Sequence, residues 1–355
     1  MNIDTPVLTN QAPANTVPAN RVNVTHEWGR LKEVIVGRAD TVRLPDLTGL
    51  DTAFLNAKFT WATDVLRGQL SSCRGQPWRE VNPETAGRAE EQMENLVRFL
   101  QTRGIVVHRP RPLTEEEEGF LKEYGTFSNQ LFPRDSVLVV GNHVIEVSMR
   151  MVTRAKENFG LRDLFLRLAA ERDCHYVSMP FNLPSGAFEP PRDTGPMLEG
   201  GDVAVLGHDI LVGINRTTKS ATNDGGIRWL QQYLGDAYRV QPVPLTKDIL
   251  HLDDGFAAVR EGLAIIMPEQ FAEGLPPLLR DWEFVEVSKW EALNYLAGNG
   301  LVLGPNEILI DDRLPHVAEA LARHGVTVHT ITYDAITPWS GGLRCSHHPI
   351  VRELD

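Results

Sequence analysis

Cys345 sits in the stretch SGGLRCSHH at 340–348. Gly341 and Gly342 permit close backbone approach, and Arg344, His347 and His348 surround the sulfur with positive potential, a setting that favours thiolate over thiol. Three more polar clusters stand beside apolar runs: FPRDS at 132–136, LEGGD at 198–202 and HLDD at 251–254. His251 and Asp253 are two residues apart, so in extended chain both side chains face one side. A histidine near a cysteine can take up and return a proton. Glu199 precedes two glycines that let its backbone approach a ligand, and Asp135 adds a further carboxylate. Each has a plainer alternative: an inert buried thiol, an acidic turn, a surface Arg134–Asp135 pair. Together they supply one nucleophile, one histidine and three acids. Converging acids suit a planar guanidinium, whose N–H donors pair with carboxylates side by side. Attack by sulfur on its central carbon needs that cation fixed and a proton delivered to the leaving nitrogen.

Other chemistries lack their signatures. The chain has no G-x-G-x-x-G, Walker A, G-x-S-x-G or H-E-x-x-H sequence. Adjacent histidines such as His347 and His348 rarely share a metal ion, so a structural or solvent-facing role suits one of them better than metal ligation. Cys73 and Cys174 stand in contexts that suggest no reactivity.

The elements that must position these groups repeat along the chain. Apolar strand pairs flank tight turns at 137–147 (VLVV-GNH-VIEV), 203–213 (VAVL-GHD-ILVG), 257–267 (AAV-REG-LAIIM) and 301–310 (LVL-GPN-EILI), which is hairpin chemistry. Helical patterns at 85–103, 223–234 and 314–324 stop at Gly104, Gly235 and Gly325 and lead into further strands. EVIVG at 33–37 supplies a strand for the first unit. A strand–strand–helix–strand unit thus recurs about five times, too irregularly for a stacked solenoid. The pattern predicts an α/β fold of five blades about a pseudo-axis, with a mixed α/β sandwich as the alternative. The first three polar clusters precede an apolar strand, whereas the last is read as following the final strand.

Composition sets the outer bounds. The chain has 355 residues, 42% hydrophobic and 23% charged, as in a globular protein with a sizeable core. With 35 Lys+Arg against 47 Asp+Glu, the net charge of -12 argues against nucleic acid but not against a small cation. No run approaches the roughly 18–20 apolar residues of a membrane span. Residues 1–20 lack the basic start and apolar centre of a signal peptide and read as a disordered leader; 21–355 read as one catalytic domain. Three cysteines far apart fit neither a disulfide framework nor a zinc spacing, which suggests reduced thiols in the cytoplasm.

These residues resemble the guanidine-modifying enzymes: amidinotransferases, arginine deiminases and dimethylarginine hydrolases. HEWGRLKEVIVGRA at 26–39, FPRDSVLVVGNHVIEVSM at 132–149, GIRWLQQYLGDAYRV at 226–240 and SKWEALNYL at 288–296 look like the glycine and inosamine amidinotransferase branch. LEGGD, HLDD and the Gly-Gly-Leu-Arg-Cys345 stretch are similar to the deiminases. The resemblance implies a five-bladed α/β propeller and no cofactor, with a homodimer as a common state. It implies Cys345 as a nucleophile forming an amidino-thioether, His251 as general acid and base, and Glu199 as the carboxylate supporting His251. Asp135 and Asp253 would clamp the guanidinium, and Arg216, in VGINRTT, would meet the substrate α-carboxylate. The implied reaction is transfer of the amidino group of arginine to an amine. The alternatives are hydrolysis of the guanidine, and a propeller that only binds a cation.

Overall fold

The computed structural model describes residues 20–44, 75–123, 129–150, 154, 156–182, 194–219 and 221–354. The expected leader, except Asn20, and Cys73 lie outside the described residues. The fold is mixed α/β, with five three-stranded sheets among the described residues. The expected hairpins form as β3 (Val137–Val140) with β4 (His143–Glu146), β6 (Val203–Leu206) with β7 (Asp209–Ile214), β9 (Phe256–Arg260) with β10 (Leu263–Ile266), and β12 (Leu301–Gly304) with β13 (Glu307–Asp311), all antiparallel. Their turns need left-handed backbone: Gly141 has φ 56°, and the last turn uses Asn306 at φ 61°. A third strand then joins each second strand in parallel: β5 (His175–Ser178), β8 (Arg239–Pro244), β11 (Glu283–Glu286) and β14 (Thr327–Ile331).

The remaining sheet is assembled from both ends of the described chain. β1 (Arg30–Val36) pairs in parallel with β2 (Val106–His108) and antiparallel with β15 (His347–Glu353), in the order β15-β1-β2. The fourth polar cluster therefore does not follow the final strand. It precedes β15, as the other clusters precede β3, β6 and β9. His347, His348 and Pro349 disguise this strand in the sequence, yet His347, His348 and Ile350 are all buried in it.

Four units carry a helix before the third strand: Pro83–Gln101, Arg162–Glu171, Asp224–Leu234 and Pro315–Arg323. The fourth unit departs from the expected pattern. Between β10 and β11 it has only the 3₁₀ turns Pro268–Gln270 and Pro277–Leu279, because Pro268, Gly274, Pro276 and Pro277 break any helix there. Each helix packs its apolar face against its own sheet and the preceding unit's. Ile227, Leu230 and Leu234 meet Leu138 and Ile145 as well as Val205 and Val212. Met93, Leu96 and Leu100 meet Val34 of the first sheet and Leu301 and Leu309 of the fifth. Strand contacts link β15 with β3, β9 with β12, and β12 with β1.

The dependence on β15 is measurable. Ile350 is fully buried, so Ile350→Ala removes branched aliphatic packing and is expected to cost about 2–5 kcal/mol in urea unfolding. Leu354→Ala, at a side chain 49% exposed, is expected to change stability by no more than about 0.5 kcal/mol.

Candidate active site

One short segment before the first strand of every unit delivers a polar side chain. Asp135 comes from the helical turn Pro133–Ser136 before β3, and Glu199 from the residue before the turn Gly200–Asp202 and β6. His251 and Asp253 come from the turn leading to β9, and Cys345 from the segment before β15. The fifth equivalent place, before β12, holds Asn299, between Gly298 and Gly300. Close packing fixes these segments. The turn at 200–202 lies against those at 133–136 and 252–254, and a Cβ on Gly200 would stand 2.0 Å from the Arg134 carbonyl oxygen.

The structure brings five of the six expected site residues together, and all five are buried: Cys345, His251, Glu199, Asp135 and Asp253. His251 Nε2 donates to Glu199 Oε2 at 2.8 Å, and its Nδ1 lies 3.7 Å from Asp135 Oδ1. Cys345 Sγ lies 3.8 Å from Asp253 Oδ2. Asp135 Oδ2 is held by Arg154 (2.6 Å), and Asp253 Oδ2 by Arg344 (2.8 Å). The other oxygens, Asp135 Oδ1 and Asp253 Oδ1, are buried with no hydrogen-bond donor. Two desolvated carboxylates with open acceptors beside a thiol are chemically suited to a cation with several N–H groups.

The electrostatics correct one expectation. Burial, then the charges of Asp253 and Asp135, push the Cys345 thiol well above its ordinary value, so it rests protonated. The basic neighbours do not prevent this, because their charge is spent or absent. Arg344 is tied to Asp253 and also to Glu27 at 3.0 Å. His347 and His348 are held well below the usual histidine range by burial and by Arg134, and are neutral. At His251, burial works against the charge, but Asp135, the Glu199 hydrogen bond and Asp202 outweigh it. The His251 value is thus held well above its usual range, so the ring is charged and carries a proton on both nitrogens.

Asn299 and Arg154 were not found from sequence. Asn299 is buried; its Nδ2 donates to Cys345 Sγ (3.2 Å) and to the Asp253 carbonyl (3.0 Å), and its Oδ1 accepts from Cys345 N–H (3.0 Å). The signal available was positional: the fifth unit should present a residue where the other four do. Arg154, bridging Asp135 and Glu157, had no such signal.

Arg216 stands apart from the cluster. Its guanidinium pairs with Asp224 at 2.7 Å, half-exposed, on a cavity of about 590 Å³ shared with Arg150, Lys219 and Arg228. Thr222, also on that cavity, accepts from the Glu199 backbone N–H at 3.1 Å. Cys174 is half-buried, its thiol pushed up by burial. His251, Asp253 and Asp254 bring ligand-type atoms within 4.8 Å of one another. Asp254 accepts from the N–H groups of Leu250 and His251, and His251 Nε2 faces Glu199, whereas Asp253 Oδ1 has no donor.

No family model matches the chain. Among curated proteins, it is 29% identical to the Streptomyces griseus protein named "Putative inosamine-phosphate amidinotransferase 2", over 91% of this chain and 94% of that one. It is 25% identical to the L-arginine:L-lysine amidinotransferase of Pseudomonas savastanoi pv. phaseolicola, over 90% and 91%. Among solved structures, the inosamine-phosphate amidinotransferase of Streptomyces griseus matches with TM-score 0.77 at 23% identity, covering 95% of this chain and 98% of the other. An amidinotransferase of the saxitoxin biosynthetic pathway from Microseira wollei matches with TM-score 0.75 at 22% identity, covering 94% and 98%. The chain shares the fold of these structures, and the resemblance to guanidine-modifying enzymes, in their amidinotransferase branch, holds. No helix among the described residues is long and apolar enough to cross a membrane.

Alkylation of Cys345 by iodoacetamide reads its resting state. The rate is expected to be low at pH 7 and to rise with pH, with a midpoint above the roughly 8.5 of an ordinary cysteine. A midpoint below about 7 would show the thiolate to be the resting form at neutral pH.

Proposed function

We propose that this chain is an amidinotransferase that moves the amidino group of L-arginine to an acceptor amine through a covalent amidino-cysteine, releasing ornithine. The observation that carries the reading is the pair of open carboxylate oxygens, Asp135 Oδ1 and Asp253 Oδ1, buried on either hand of the Cys345 thiol and the His251 imidazolium. A guanidinium between them answers both acceptors. Its charge also offsets the two carboxylates that hold the thiol protonated, so the thiol proton leaves to solvent when the cation binds. Substrate binding thereby prepares the nucleophile.

The thiolate then attacks the guanidinium carbon. The bond from that carbon to the side-chain nitrogen of arginine breaks as His251 Nδ1–H protonates that nitrogen, and ornithine departs as a neutral amine. Sulfur is left bonded to a planar amidinium, and His251 is neutral. The acceptor enters as a free amine and attacks the same carbon. His251 takes up the proton that the new C–N bond displaces, and sulfur leaves as thiolate. Glu199 orients the imidazole through the 2.8 Å hydrogen bond and favours its charged form. The α-carboxylate of arginine is assigned to Arg216 and the basic cavity it lines. Two half-reactions sharing one covalent intermediate give ping-pong kinetics. The architecture supporting this site is read as a closed five-bladed propeller in a single domain from residue 21 onward, a reading favoured by the contacts from the fifth sheet back to β1. A guanidine hydrolase is the second reading, favoured by the sequence Gly-Gly-Leu-Arg-Cys345.

Incubation with arginine, alone and with glycine, lysine or an aminocyclitol, separates the readings. Ornithine formed only with an amine present is expected, with the amidino mass increment on Cys345 in its absence; citrulline or ammonia without amine would establish the hydrolase. Cys345→Ala is expected to lower turnover by at least about 1,000-fold. Glu199→Gln removes a charge that raises the His251 value, so the alkaline limb of kcat is expected to move to lower pH. An unmoved limb would assign that limb to another group.

A further inference from the structure

We propose that Asn299 is a catalytic residue, whose side-chain amide holds the sulfur of Cys345 as an anion through attack and departure. Its Nδ2 stands 3.2 Å from Sγ, the reacting atom itself. The same nitrogen donates to the Asp253 carbonyl oxygen at 3.0 Å, and Oδ1 accepts from the Cys345 backbone N–H at 3.0 Å. These two bonds fix which end of the amide meets sulfur: the end with an acceptor on Cys345 N–H cannot also be the donor. The backbone of Asn299 is tied in too, accepting from Arg344 N–H at 2.9 Å.

The surrounding chain is shaped for this contact. The helix Lys289–Tyr295 ends at Leu296, a buried leucine in the left-handed region at φ 54°, which turns the chain towards the site. A Cβ on Gly342 would stand 2.7 Å from Asn299 Oδ1, so the glycine beside the nucleophile leaves room for this amide. A Cβ on Gly298 would stand 2.5 Å from Gly255 Cα, which packs the Asn299 segment directly on the turn bearing Asp253. Of the five equivalent segments, this one contributes a neutral side-chain amide.

The Gly342 backbone N–H is a second neutral donor to the sulfur, and the charged groups around it are either repulsive or already paired. Asp253, Asp254 and Asp135 face it with negative charge, and Tyr333 is buried nearby with its phenol raised by burial. Arg344 on its own segment is bound to Asp253 and Glu27, and Arg134, whose charge also acts on Cys345, is drawn on by Glu27. His251 gives its Nε2–H to Glu199 and turns Nδ1 towards Asp135 at 3.7 Å. An N–H donor with no charge favours the thiolate without competing with a cationic substrate for the carboxylates.

The inference rests on the proposed use of Cys345 as nucleophile, and its test does not require the substrate to be known. Asn299→Asp keeps the acceptor for Cys345 N–H and replaces the donor, and Asn299→Ala removes both. In each, the midpoint of the iodoacetamide–pH profile of Cys345 is expected to rise by at least about one unit while the melting temperature stays within a few degrees. With arginine and an effective amine, kcat is expected to fall about 100-fold with KM for arginine nearly constant, as when one anion-stabilising donor is lost. Alkylation profiles that superimpose on wild type overturn the proposal. Loss of folding in both variants overturns it as well, because it assigns Asn299 to structure. Failure of the wild type to form an amidino-cysteine, with the alkylation shift intact, would instead overturn the functional reading and leave Asn299 as the donor to sulfur.

Discussion

Two carboxylates, removed from water and facing one thiol, are the constraint on which the rest of the site depends. Burial disfavours their charge, and each accepts a charged hydrogen bond on one oxygen only, from Arg154 on Asp135 and from Arg344 on Asp253, with the His251 imidazolium 3.7 Å from the other oxygen of Asp135. The opposite oxygens are left open. Burial raises Asp253 despite Arg344, whereas Arg154 and His251 outweigh burial and lower Asp135. The half-satisfied pair keeps sulfur protonated and imidazole charged at once. A cation is the one kind of ligand that relieves both acceptors and changes the state of the sulfur.

The fold supports this arrangement by repeating one junction. In each unit the chain enters the first strand from a short, tightly packed segment, and that junction points its polar side chain towards the other four. Nothing long or mobile is needed to bring an acid, a histidine, an amide and a thiol together. Helices whose apolar faces bridge neighbouring sheets hold the units in fixed relation. Glycines at 200, 342 and 298 allow the segments to approach more closely than any side chain would permit.

Much of this was legible in the sequence because it is locally encoded. Aliphatic runs around a Gly- or Asn-bearing turn specify a hairpin whatever surrounds them, and Met93, Leu96, Val97 and Leu100 mark a helix face directly. β15 was hidden because His347, His348 and Pro349 do not look like a buried strand; only the pairing with β1 makes them one. The missing helix of the fourth unit was visible in its prolines, but the repeat suggested otherwise. The reading of Cys345 as a resting thiolate failed for a different reason. It counted nearby basic residues, whereas the potential at sulfur depends on which of them are already paired and which are neutral, and that is settled by Glu27, more than 300 residues away. Asn299 carries no charge and sits in an unremarkable Ala-Gly-Asn-Gly sequence, so only the positions of the other four units could have singled it out.

The pairing of β1 with β15 also orders events in time. Val36 and His347 are partners in one sheet, yet the four other sheets lie between them in the sequence. A chain emerging from the ribosome at about 5–20 residues per second can complete those four sheets while β1 still presents an unpaired edge. The thiol arrives in the same short segment that closes this edge. The Cys345 thiol is therefore absent from every earlier intermediate, and the acids meet it only when β15 pairs with β1.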